Sequence, residues 1–147
     1  MRLLLQRVTR AQVSVEGEVV GSIGAGLVAL VGVAGGDTPA VAETMARKTV
    51  ELRIFRDEAG RTNRSLLDVG GAVLAISQFT LLADTSRGRR PSFIRAAPPD
   101  LGNALYQRFT DAVEGLGVNV ARGVFGAEMQ VELVNDGPMT IWLDSEV

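Results

Sequence analysis

"MQVELVNDGPMTIWLDS", residues 129–145, carries two signals that pull against each other. Its ends read as strands, over 129–135 and 140–145, because apolar and β-branched residues alternate with polar ones. Between them Asn135, Asp136, Gly137 and Pro138 make a strong turn signal. A proline can donate no hydrogen bond to a ladder. Either the turn is hairpin punctuation, or the backbone at Gly137-Pro138 is itself a working part.

Working outward, the rest of the chain is also rich in strands. Residues 1–8 alternate, with Leu3, Leu5 and Val8 apolar. "AQVSVEGEVVGSIG" alternates on either side of Gly17, which predicts a hairpin. "GLVALVGV" (26–33) and "AVLAISQF" (72–79) are continuous apolar runs that suit buried strands. A short strand is expected at "LRIF", a turn at "DEAGRTN", and a loop with one helical turn at "SLLDVGG".

Two helices are predicted. The first starts at Asp37-Thr38-Pro39, where Asp37 or Thr38 can cap, and ends near Leu52. Val41, Ala42, Met45, Ala46, Thr49 and Val50 mark its inner face. The second opens at Pro99-Asp100 and stops at Gly117, with Leu101, Ala104, Leu105, Phe109, Ala112, Val113 and Leu116 facing inward. Two main helices against many strands predict one α+β domain over residues 1–147. The expected arrangement is a layered β/β/α one, with mostly antiparallel or mixed sheets.

Composition narrows the chemistry. The chain has no cysteine and no histidine, which removes disulfides, thiolate nucleophiles and the Ser-His-Asp arrangement. No metal site and no cofactor is expected. No apolar run approaches the ~18–20 residues of a membrane span, so no membrane partner is expected and a cytoplasmic protein is the default. The net charge of −2 does not point to nucleic acid. Yet Arg87, Arg89, Arg90 and Arg95 share a window with no acid, inside a long polar loop from Asp84 to Pro99. Guanidinium forks there suit phosphate.

At two places the chain is more specific: "SQFTLLAD" (77–84) and "NDGPMT" (135–140). Together they resemble the D-aminoacyl-tRNA deacylases, also called D-tyrosyl-tRNA deacylases. That family carries a Ser-Gln-Phe-Thr segment and an Asn-x-Gly-Pro-x-Thr segment. "QRVTRAQVSVEGEVVGSIGAGL", "ADTSRGRRPSF" and "FGAEMQVELVNDGP" are similar too, so the resemblance runs from residue 1 to 145. One position departs: Met139 stands where the family usually has Val. Methionine is apolar and flexible enough for a pocket wall to absorb it.

The resemblance implies hydrolysis of the ester joining a D-amino acid to the 3′-terminal adenosine of tRNA. Glycine mischarged on tRNA(Ala) is implied as a further substrate. It also implies a homodimer whose active sites lie at the interface, where Ser77, Gln78, Phe79 and Thr80 of one subunit meet Gly137 and Pro138 of the other. Met139 and Thr140 belong to the same chiral-selection segment. The Gly137-Pro138 bond is implied to be cis, and Arg7 to hold the segment in place.

The residues themselves support a chemical outline. Ester hydrolysis needs donors for the developing oxyanion. Backbone N–H groups leaving the ladder after Ser77, at Phe79 and Thr80, can serve without a histidine. Thr80 can also be drawn as a covalent nucleophile. Alternatively the 2′-hydroxyl of the terminal ribose assists while the protein supplies position and dipoles. A rigid Gly-Pro wall beside the α-carbon would exclude L side chains whatever their identity. Arg87, Arg89 and Arg90 are candidate phosphate contacts, and Phe125 and Met129 candidate contacts for the terminal adenine. Two other readings stay open: a non-catalytic homodimer that holds a tRNA 3′ end, and a small-molecule D-esterase or amidase with a threonine nucleophile.

Overall fold

The computed structural model describes residues Met1–Val147. Its framework is a six-stranded mixed sheet. β1 (Arg2–Val15) is the longest early strand and turns through Glu16-Gly17 into β2 (Glu18–Ile23). Both turn residues have positive φ, at 51° and 81°, the left-handed backbone that tight hairpins need. β3 (Gly26–Gly32) pairs antiparallel with the first half of β1, and β2 with its second half.

Helix α1 (Pro39–Glu51) follows, capped by Thr38, whose hydroxyl accepts from Val41 N–H at 3.3 Å. Asp37 has a different role. Its carboxylate accepts from Ala34 N–H and from the Met1 ammonium, both at 2.7 Å. A small ribbon of β4 (Phe55–Arg56) and β5 (Thr62–Arg64) leads to the one-turn helix α2 (Leu66–Val69). β6 (Ala72–Ser77) then lies parallel to β3, and β7 (Val120–Arg122) parallel to β6. Parallel neighbours need long crossovers. Here they are α1 with the ribbon, and the long loop with helix α3 (Pro99–Gly115).

The predicted strands 129–135 and 140–145 are one strand, β8 (Gln130–Asp144). Both halves pair with β1, from Arg2↔Asp144 through Gln6↔Thr140 and from Val8↔Asn135 through Ser14↔Gln130. Residues 136–139 have no partner in that register and bulge outward opposite Arg7. The turn signal was real, but it makes an interruption within a strand and not a hairpin.

A second irregularity shapes β1. The register with β8 slips between Val8 and Arg10. A one-residue slip exchanges the faces of a strand. Leu3 and Leu5 join the large core beneath α1 and α3, and Val8 faces the other way; beyond the slip Ala11 and Val13 share Val8's face and line with it a second, smaller core that includes Val28, Leu74 and Ile76. β2 curls toward β7, so that a Cβ on Gly21 would sit 2.8 Å from the Arg122 carbonyl oxygen. The result is a barrel-like sheet with helices on one side, the layered α+β fold expected. Two further expectations need correction. Ala104 on α3 is exposed, while Tyr106 and Thr110 are buried. β6 ends at Ser77, and Phe79–Leu82 form a 3-10 turn.

Candidate active site

The end of β6 is where the chain's backbone chemistry changes. Gln78 N–H is still held by the Val31 carbonyl at 2.7 Å. The next residues turn away from the sheet into the 3-10 turn, closed by Leu81 N–H to Gln78 O at 3.2 Å and Ala83 N–H to Thr80 O at 3.1 Å. The N–H groups of Phe79 and Thr80 open that turn, where no earlier carbonyl of the turn can receive them. No side chain caps them. The turn lies this close because β3 offers Gly32: a Cβ there would meet the Gln78 carbonyl oxygen at 3.0 Å and Leu82 Cδ2 at 2.7 Å.

A cavity of about 610 Å³ opens beside the turn. Ser77, Gln78 and Phe79 form one wall, and the long loop contributes Phe93 and Ala97. Phe125 and Met129 close the far side. No residue of the lining is ionisable. Phe79 is 55 % exposed and its ring meets Phe93 edge to face, with centroids 5.1 Å apart. Phe125 leans on Tyr106 and on the large core. Met129 rests over Gly123, where a Cβ would lie 2.6 Å from its sulfur.

Thr80 is outside the lining, on the exposed side of the turn. Its Oγ1 accepts a hydrogen bond from the Gln78 side-chain amide at 2.5 Å. No carboxylate or lysine is bonded to it. A threonine nucleophile would need such a base.

The second motif is built around Arg7. This side chain is 4 % exposed, and three groups fix it. Nη1 donates to the Ile54 carbonyl at 2.6 Å, Nε to the Asp136 carbonyl at 3.0 Å, and the Asp136 carboxylate stands 3.4 Å from Nε. Arg56 reaches the same carboxylate from outside at 3.1 Å. The Asn135 amide donates to the Arg7 carbonyl at 2.9 Å and the Met139 carbonyl at 3.1 Å, which closes the base of the bulge. Gly137 has φ 118°, and a Cβ on it would overlap Arg7 Nη2 and stand 3.1 Å from Arg56 Nη2. Only glycine fits between the two guanidiniums.

All peptide bonds are trans, Gly137-Pro138 included. The implied cis bond is therefore corrected. The extended course of β8 leads into and out of the bulge, and trans is the ordinary state of an X-Pro bond. Gly137 and Pro138 are exposed and lie outside the cavity of their own chain. Met139 packs against the large core, and Thr140 Oγ1 accepts from the Gln6 amide at 3.3 Å.

Arg87, Arg89 and Arg90 are exposed on the loop after the turn, and none forms an ion pair. Arg95 instead reaches Glu146 at 3.4 Å. Sequence reasoning missed three contributors. Tyr106 lies behind β6 and donates its hydroxyl to Ala75 O at 2.7 Å. Burial pushes its phenol up to about 12. Phe93 joins the lining, and Gly102 lets α3 approach it, 3.6 Å from Phe125 Cζ at the position of a Cβ. A tyrosine on the apolar face of α3 was the only one of these with a readable signal.

The family model for D-Tyr-tRNA(Tyr) deacylase matches residues 4–144. A protein of Thermomicrobium roseum named D-aminoacyl-tRNA deacylase is 61 % identical, over 99 % of this chain and 94 % of its own length. One of Deinococcus deserti with the same name is 60 % identical over 98 % of this chain and 99 % of its own length. Among solved structures, a c-Myc DNA unwinding element binding protein superposes with a TM-score of 0.93 at 39 % identity, covering 98 % of both chains. A probable eukaryotic D-amino acid tRNA deacylase shares the fold, with a TM-score of 0.85 at 17 % identity and 97 % of both chains covered. A match over nearly the whole length, together with close relatives of equal size, places the chain in the D-Tyr-tRNA(Tyr) deacylase family, hydrolases of the ester bond of D-aminoacyl-tRNA.

Proposed function

We propose that the protein removes D-amino acids from tRNA by positioning the ester against backbone donors, with no protein acid or base in the reaction. The observation that carries this reading is the cavity: free N–H groups of a 3-10 turn stand at its edge, and its lining contains no ionisable group. The ester carbonyl takes the position facing Phe79 and Thr80 N–H, whose donors stabilise the oxyanion by roughly 3–4 kcal/mol each. The neighbouring 2′-hydroxyl of the terminal ribose assists attack. The adenine lies between Phe125 and Met129, and Arg87, Arg89 and Arg90 meet the phosphates that lead to it.

Chiral selection falls to Gly137 and Pro138 acting in trans. They lie outside the lining of their own chain's cavity and on an exposed bulge. In a homodimer, the partner subunit's bulge would form a wall beside the α-carbon. L side chains meet that wall, D side chains point away, and glycine, including glycine mischarged on tRNA(Ala), passes. A thousandfold rejection requires about 4 kcal/mol, which steric exclusion supplies.

The test is single-turnover hydrolysis of D- and L-tyrosyl-tRNA, with and without a chelator, by wild type and Thr80→Val. The expected result is D-specific release that survives the chelator and most of which survives Thr80→Val. Equal cleavage of both enantiomers refutes the selection, and a trapped acyl-threonine refutes the donor mechanism.

A further inference from the structure

The 3-10 turn Phe79–Leu82 carries the donors, yet short 3-10 segments have poor internal hydrogen-bond geometry. Donors contribute fully only when held within a fraction of an ångström of the oxyanion. Something outside the turn must therefore hold it. At its start the anchor is Gln78 N–H on Val31 O. Near its end Leu82 is buried, and the Leu81 carbonyl accepts a hydrogen bond from Arg2 Nη1 at 2.8 Å.

Arg2 comes from the first position of β1, far in sequence from both motifs. Its guanidinium is itself fixed. Nε donates to Asp144 Oδ2 at 3.2 Å, and the group lies over the Trp142 ring, 5.7 Å from the centroid. Both charged side chains are largely buried, with 17 % of Arg2 and 13 % of Asp144 exposed. A carboxylate and an indole thus hold the one cation that reaches this carbonyl of the turn.

We propose that Arg2 is a positioning residue for the hydrolysis, bracing the donor turn through the Leu81 carbonyl, with Asp144 and Trp142 holding the guanidinium in register. The inference rests on the reading of Phe79 and Thr80 N–H as oxyanion donors. A brace of this kind acts on the rate of the chemical step. It bears far less on substrate affinity and enantiomer choice, because the rest of the lining, from Phe93 to Met129, and the Gly137 bulge are built from other contacts.

The chain has one tryptophan, so Trp142 emission reports directly on the guanidinium above it. In Arg2→Met the emission should shift. The single-turnover rate on D-tyrosyl-tRNA should fall roughly tenfold to a hundredfold, the loss that displacements near 1 Å bring. KM should stay within about twofold and the D/L ratio should be unchanged. Arg2→Lys, which keeps one donor for Leu81 O, should recover much of the rate. If Arg2→Met does not fold, Asp144→Asn replaces it, with an expected fall of about threefold or more and the same unchanged KM. An altered Trp142 emission with a wild-type rate overturns the inference, as does a loss confined to KM. Wild-type protein without D-tyrosyl-tRNA hydrolysis overturns the deacylase reading and the inference with it. An active wild type with an unimpaired variant overturns the inference alone.

Discussion

Replacing Gly137 with alanine is the most informative single change, because two separate constraints meet there. The residue has φ 118°, a conformation that costs an L side chain about 1–3 kcal/mol. The added methyl would also fall far inside the 3.4 Å at which ordinary contact with Arg7 Nη2 begins. The guanidinium would have to retreat by about 1 Å or more. Its bonds to Ile54 O at 2.6 Å and Asp136 O at 3.0 Å do not survive that movement. Arg7 is 4 % exposed, so water does not replace them. Stripping a buried charge of its partners costs about 3–5 kcal/mol. If the bulge yields instead, the cost falls, but residues 136–139 leave their place. Gly137→Ala should therefore lose roughly 3–5 kcal/mol in urea unfolding, or lose D/L selectivity, or both. Gly24→Ala is the control: its Cβ meets nothing within 4 Å, and the expected change is within about 0.5 kcal/mol. A Gly137→Ala protein as stable and as selective as wild type would refute the guanidinium clamp.

Three further outcomes are expected. The only tyrosine, Tyr106, has its pKa raised by burial to about 12, so absorbance at 295 nm should show no tyrosinate step near the ordinary ~10 while the fold persists. The stabilisation is complete below the unfolded value of ~10 and is lost as pH rises toward 12; a step at 10 in folded protein would contradict the buried phenol. Asp144 is held below the usual carboxylate range, first by Glu146 N–H at 2.9 Å and then by Arg2. Its contribution is therefore full above the unfolded value of about 3.9 and is lost as pH falls through the folded one, so Asp144→Asn should flatten the acid limb of stability against pH. Unaltered acid limbs would remove Asp144 from the account. Replacing Arg87, Arg89 and Arg90 with alanine should weaken tRNA binding and reduce its salt dependence, while small D-amino esters are handled as before; unchanged affinity would remove the loop.

Local signals predicted several elements well. Gly17 punctuates the hairpin, Thr38-Pro39 starts α1, and "GLVALVGV" is a strand buried on both faces. What stayed hidden depends on pairing. Whether 129–145 is two strands or one is decided by β1, which runs past both halves, and no local pattern contains that. β7 is three residues between glycine-containing loops, too short for any period to show. On α3, Ala104 and Tyr106 differ from expectation because the helix buries the face toward β6, where Ala75 O offers the phenol a partner. The site motifs were found through resemblance, and their physical reasons appeared only in three dimensions. Gly137 is small for Arg7 and Arg56, and Gly32 for the donor turn. The cavity draws on four distant segments, so its lack of ionisable groups could not be read from any one of them.

In the proposed mechanism the protein supplies geometry and backbone donors while the substrate supplies the assisting hydroxyl. Single-turnover hydrolysis of D-tyrosyl-tRNA ending in adenosine should be compared with the same ester, 3′-linked, on tRNA ending in 2′-deoxyadenosine. The account predicts a loss of roughly a hundredfold or more in rate with binding retained. Equal rates on the two substrates would contradict it.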